Sequence, residues 1–205
     1  MSRRPARAHA RAQHPPPHAP PSPPLPQGPR SLAFDAAGSL FFTDAGPDGD
    51  TGLHNRAGSV FVITGEGASR ILRPLALRCL ANPSALALAP GDGAVFVAEA
   101  AENRVLRFTQ RPRGVWHGAV FFTFSGRLGP SALATDAARS LLYVARPEAP
   151  DAGARGVISV LSMDGVLLKE FETPGADVSA IALAPGGNAL FVGDAGSGQV
   201  LSIVL

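Results

Sequence analysis

From Ser31 onward, small and apolar residues alternate with polar ones in short runs, and the runs come in pairs joined by tight turns. Four stretches follow one template: "SLAFDAAGSLFFTD" (31–44), "ALALAPGDGAVFVAE" (85–99), "ALATDAARSLLYVAR" (132–146) and "AIALAPGGNALFVGD" (180–194). In each, a period-two run leads into a turn carrying Gly, Asp or Asn, or Ala-Ala-Arg in the third. A second apolar run then ends on a polar residue, which is the pattern of a β-hairpin. The anchors Leu32, Leu86, Leu133 and Ile181 stand 54, 47 and 48 residues apart. A third apolar run follows each hairpin, at 58–63, 103–108, 156–161 and 198–205. A weaker fourth follows the first three, at 69–75, 118–124 and 167–173. Helical periodicity is absent. Four strands per unit at this spacing predict an all-β chain, a β-propeller of four-stranded blades with about four blades present, over residues 30–205.

Composition separates that domain from what precedes it. Residues 1–29 form a Pro/Arg-rich leader, expected to be disordered because its prolines exclude a helix and it offers almost nothing to bury. Residues 1–30 hold five arginines, ten of the twenty prolines and no acid, leaving 13 basic and 16 acidic side chains for the remaining 175 residues. The pI of about 9.3 therefore belongs to the leader. A folded body without a basic face argues against nucleic acid as a partner. No apolar run reaches the roughly 18 to 20 residues of a membrane span, so no membrane partner is expected either. The single cysteine, Cys79, cannot form an internal disulfide and reads as a small buried residue. With no secretory apolar region in the leader, the expected compartment is the cytoplasm. A mitochondrial destination is the alternative for an Arg-rich, acid-free leader.

The acidic run Asp44, Asp48, Asp50 has a superficial likeness to a calcium loop. An EF-hand loop places oxygen ligands at positions 1, 3 and 5, Gly at 6 and Glu at 12. Counted from Asp44, position 3 is Gly46 and position 12 is Asn55; counted from Asp48, position 5 is Gly52 and position 12 is Ser59. Neither register holds. The repeat instead aligns Asp44 with Glu99, Arg146 and Asp194 as the last residue of each second strand, and leaves Asp48 and Asp50 in a longer solvated connection.

The segments "GPRSLAFDAAGSLFFTDAGPDGDTGLHNRAGSVFVI", "LRCLANPSALALAPGDGAVFVAEAAENRVLRF" and "FTFSGRLGPSALATD" resemble the senescence-marker-protein, gluconolactonase and luciferin-regenerating-enzyme-like propellers. "VAEAAENRVLRF" is also similar to the strictosidine-synthase-like branch of that superfamily. The resemblance covers residues 28–205. It implies a six-bladed propeller, a divalent cation such as calcium in the central channel, and hydrolysis of a small-molecule lactone or ester there. Six blades at this spacing need about 290 residues, whereas Ser31 to Leu205 supplies 175. One or two blades preceding residue 30 are thus expected to be missing, with the leader in their place.

In that family the cation ligands are Asn, Asp or Glu just before the first strand of several blades. The matching positions here are Arg30, Ser84, Ser131 and Ser179, none of them a carboxylate or amide, so the resemblance does not carry the metal site over. The remaining candidates are Asp44, Glu99 and Asp194 as general bases, with Arg30 and Arg146 as anion-holding groups and the three serines as substrate contacts. Each has a plain structural alternative in strand-end hydrogen bonding. Two functions from different classes follow: a lactone or ester hydrolase acting in the channel, or a non-catalytic propeller that binds a protein partner.

Overall fold

The paired runs of the sequence become paired strands in the computed structural model, which describes residues 25–47, 52–149 and 153–205. Most of the leader and the acidic positions Asp48 and Asp50 lie outside these. The first blade is β1 (Pro29–Phe34), β2 (Leu40–Asp44), β3 (Gly58–Thr64) and β4 (Ile71–Leu80). The second is β5 (Pro83–Leu88), β6 (Ala94–Glu99), β7 (Arg104–Arg111) and β8 (Val115–Thr123). The third is β9 (Ala132–Asp136), β10 (Leu141–Arg146), β11 (Val157–Ser162) and β12 (Leu167–Glu172). The fourth has three strands, β13 (Val178–Leu183), β14 (Ala189–Asp194) and β15 (Gln199–Val204). Every neighbouring pair within a blade is antiparallel. The described helix consists of single 3-10 turns between strands. The resemblance implies six blades; the described residues form four, three of four strands and one of three.

A propeller blade is a small twisted sheet with two faces, and it is stable only if neighbours cover both. The alternation along the strands serves this by sending successive side chains to opposite faces. Phe41, Val60 and Val62 of the first blade meet Leu86, Val95 and Val97 of the second. Ala85, Ala87 and Phe96 of the second meet Leu133, Leu142 and Val144 of the third. Ala132, Ala134 and Tyr143 of the third meet Ile181, Leu190 and Val192 of the fourth. Trp116 on β8 caps the first joint from outside, edge-on to Phe41 at 5.7 Å. The first strands β1, β5, β9 and β13 stand side by side around the axis.

At one end of the axis an ion pair ties two hairpins together. Asp136 is buried and accepts from the Arg139 backbone N–H at 3.0 Å and from its guanidinium at 2.7 Å. The same guanidinium donates to the Gly187 carbonyl in the fourth blade's turn. Burial alone would raise the Asp136 carboxyl, but the hydrogen bonds and charge of Arg139 outweigh it and hold the group below its ordinary 3.8.

Leu142, fully buried between the second and third blades, should cost about 2 to 5 kcal/mol when replaced by alanine, read as a lower urea midpoint at unchanged slope. Because its folded value lies below its unfolded one, Asp136 contributes stability above the ordinary carboxylate range and loses it as pH falls through the folded value. Asp136→Asn should therefore be less stable than wild type at neutral pH, and the difference should shrink steadily as urea titrations are repeated below about pH 4.

Candidate functional site

The first residues of the innermost strands converge at one mouth of the axial channel. Arg30 enters on β1, Ser84 on β5, Ser131 just before β9 and Ser179 on β13, and all four line one cavity of about 440 Å³. The same four positions also line a smaller space of about 230 Å³ beside the strands. Arg30 is exposed. Asn82 and Asp177 complete the polar lining.

Two of the serines hold neighbouring blades together. The Ser84 hydroxyl donates to the Pro130 carbonyl at 2.6 Å, and the Ser131 hydroxyl donates to the Val178 carbonyl at 2.5 Å. In each case the acceptor is the residue immediately before the equivalent serine of the next blade. A hydroxyl has one proton to give, so these two are committed to joining blades. At the first joint the direction reverses, and the Leu86 N–H donates to the Ser31 hydroxyl oxygen at 3.2 Å. Ser179 donates to its own blade's Gly193 carbonyl at 3.4 Å.

The acids that end the second strands stand elsewhere. Asp44 is buried and accepts from the Gly28 N–H at 2.6 Å, the Gly46 N–H at 3.1 Å and the Gln27 N–H at 3.2 Å. It lines a separate cavity with Arg56 and Arg78. Glu99, wholly buried, accepts from the Ala81 N–H at 2.7 Å and from Arg104 Nε at 2.7 Å. Asp194, also buried, accepts from the Ser197 hydroxyl at 2.8 Å and the Gly196 N–H at 3.3 Å. Gly175 has no room for a side chain, because a Cβ there would lie 1.7 Å from the Asp194 carboxylate. Each carboxylate satisfies N–H or O–H donors of nearby connections, and none of the three faces the cavity that holds Arg30.

Arg146 shares their register and has different partners. Its guanidinium donates to the Ser159 hydroxyl at 3.0 Å, the Ser125 carbonyl at 3.1 Å and the Glu170 carboxylate at 2.5 Å, and lies 4.8 Å from the centre of the Phe124 ring. It ties β10 to β11 and β12 and does not face the channel cavity. Arg104 pairs with buried Glu99. Cys79, expected to be buried, is exposed on β4, the outermost strand of its sheet, where alternation no longer sends a side chain into a joint. His54 and His117 are exposed and line none of these cavities.

Asn82 and Asp177 escape a reading aimed at the residue directly before each first strand. Each lies two positions ahead of the blade's serine, as Asn82 to Ser84 and Asp177 to Ser179. That shared offset is visible in the sequence, and it marks the channel mouth.

A divalent cation does not fit this set of donors. Hard cations take six or more oxygen ligands with several carboxylates among them, and among the described residues no three His, Cys, Asp or Glu side chains come together. The mouth offers one carboxylate, one amide and three neutral hydroxyls, beside the positive charge of Arg30.

The fold has known counterparts. The chain is similar to the calcium-binding protein regucalcin from Agrobacterium tumefaciens, with 19% identity, a TM-score of 0.67, and coverage of 85% of this chain and 60% of that one. It is similar to a gluconolactonase from Xanthomonas campestris, with 22% identity, a TM-score of 0.62, and coverage of 80% and 53%. A luciferin-regenerating enzyme gives 21% identity, a TM-score of 0.63, and again 80% and 53%. The likeness at these identities is one of fold, and the chain spans no more than 60% of the length of any of the three. No protein-family model matches the chain, and no curated protein sequence does.

Removing a buried carboxylate while its partners remain leaves an uncompensated charge and an orphan N–H. Glu99→Ala should accordingly lower stability by about 3 kcal/mol, seen in urea titration. Arg30→Ala, at an exposed position, should change stability by less than about 0.5 kcal/mol.

Proposed function

We propose that the channel mouth binds a small lactone or ester and hydrolyses it without a metal ion. The convergence of Arg30, Asn82 and Asp177 on one cavity of about 440 Å³ carries this reading. That size falls within the range of small-molecule sites, roughly 300 to 1,000 Å³. The lining pairs one cation with one carboxylate, which suits an electrophile that develops negative charge on its carbonyl oxygen.

In this mechanism Asp177 takes the proton of a water that attacks the carbonyl carbon, and Arg30 stabilises the oxyanion that forms. Collapse breaks the bond to the ring or alkoxy oxygen, which receives the proton back. Asn82 orients the substrate through its amide. The serines act here as the frame of the mouth, since Ser84 and Ser131 already bridge blades. The fold likeness to a gluconolactonase supports the substrate class. The poor fit to a cation favours a second reading, a propeller that has kept the frame and binds a protein partner without catalysis.

The two readings separate in one assay of the full chain with a six-membered sugar lactone and an aryl ester, each with and without a calcium chelator. Turnover insensitive to the chelator is expected, falling about 100-fold or more in Asp177→Asn, the usual scale for loss of a general base. A folded chain without turnover would leave the non-catalytic reading, and turnover lost to the chelator would contradict the metal-independent mechanism.

A further inference from the structure

Blades radiate from an axis, so neighbouring sheets diverge outward, and the space between their outer strands is either filled by large side chains or left open. At the second joint it is filled. Phe121 on β8 lies against Phe96 with ring centres 4.7 Å apart, and Arg107 donates across the joint to the Met163 carbonyl at 3.4 Å. At the first joint, between the outer strands β4 and β8, a cavity of about 360 Å³ remains. It is enclosed by two blades of the chain and shares no lining residue with the channel mouth.

The strand registers set its walls. Phe41 pairs with Val62 and Val62 with Arg73, so these three side chains share the face turned toward the second blade. On the second blade, Gln110 pairs with Trp116. Along β4 the register then slips: Phe61 faces Pro74 and Val60 faces Ala76, which leaves Leu75 as the extra residue of a bulge. Leu75 lines the cavity with Phe41 and Trp116.

Charges of both signs lie on the same cavity. Asp35 enters from the turn between β1 and β2. One of its carboxylate oxygens accepts from the Ser39 N–H at 2.7 Å, and the other has no hydrogen-bond partner among the described residues. Arg73 likewise forms no ion pair among the described residues, with Asp35 or with any other acid. The two stand at opposite edges of the first blade, with β2 and β3 between them. At the ordinary strand spacing their backbones are about 14 Å apart. The cavity thus holds a carboxylate and a guanidinium that do not neutralise each other, beside two aromatic rings.

We propose that this cavity binds a short peptide of about two residues, with both termini free and an apolar or aromatic side chain. The peptide ammonium donates to Asp35, and the peptide carboxylate accepts a forked pair of hydrogen bonds from Arg73. Its side chain lies against Phe41, Leu75 and Trp116. Each charge then meets its opposite in a cavity partly closed to water, where charge-assisted hydrogen bonds are strong. The volume is within the range of small-molecule sites. The wide separation of Asp35 and Arg73 calls for a ligand whose own charges stand a peptide unit apart, as a dipeptide's do and a single amino acid's do not.

Trp116 is the chain's one tryptophan, so its emission reports on this cavity alone. The full chain is titrated with glycylphenylalanine, its N-acetyl form, its C-terminal amide and free phenylalanine, and equilibrium dialysis of the same four ligands gives affinities independently of emission. Glycylphenylalanine should bind saturably and shift the emission. Each blocked form, and phenylalanine, should bind about ten-fold more weakly or worse, the scale of one lost hydrogen bond to a charged group. Arg73→Gln should remove the preference for a free carboxylate and Asp35→Asn the preference for a free ammonium, each leaving the other preference and the β-sheet circular dichroism in place. The ligand series on the unaltered chain decides even where a variant does not fold. Absence of saturable binding at millimolar peptide, blocked forms or phenylalanine bound as tightly as the parent, or folded variants that keep both preferences would overturn the proposal.

Discussion

A sheet of three or four strands has two faces and one domain's worth of neighbours to cover them, and everything else in this protein follows from how that constraint is met. The sequence alternates so that successive side chains go to opposite faces of a blade and both faces are apolar, as Phe96 and Leu142 show from either side of one joint. Burial of this kind stabilises by about 25 cal/mol per Å² of apolar surface, against a backbone entropy cost that no isolated blade could offset. Stability is therefore a property of the joints. It places the innermost strands around an axis, and with them the residues at the channel mouth.

Polar groups at the blade ends divide into those that build the frame and those left facing the cavity. Asp44, Glu99 and Asp194 look like catalytic acids when seen as a row of strand-end carboxylates, yet each accepts hydrogen bonds from its own connections. Ser84 and Ser131 are frame residues as well. What is left facing the cavity is Arg30, Asn82, Asp177 and Ser179. Regucalcin, named as a calcium-binding protein, shares the fold, whereas the residues at this mouth do not fit a cation. Fold and site vary independently.

The fold was legible because period-two alternation and a repeat of fixed length are long-range regularities that survive local exceptions. The last residue of every second strand falls where the repeat puts it, at Asp44, Glu99, Arg146 and Asp194. Side-chain roles were less legible, since they depend on what meets each residue across a joint. Nothing near Ser131 in the chain announces the Val178 carbonyl, which lies 47 residues away. Cys79 reads as buried from its apolar neighbours, but an outermost strand has no further strand to cover it. Arg104 has charged neighbours in the sequence, and the partner it takes is buried Glu99 five residues earlier. Asp177 lies outside the alternation, because its place ahead of the strand is set by the geometry of the mouth.

The central claim is that the channel mouth is a small-molecule site built on Arg30 and Asp177 and not a cation site. A crystal structure of the full chain grown with both calcium and a lactam analogue of a sugar lactone tests it most directly. The account predicts the lactam in the cavity, within hydrogen-bonding distance of Arg30 and Asp177, with no calcium among the serines. A calcium ion coordinated at Ser84, Ser131 and Ser179, or a lactam bound only outside that cavity, would contradict it.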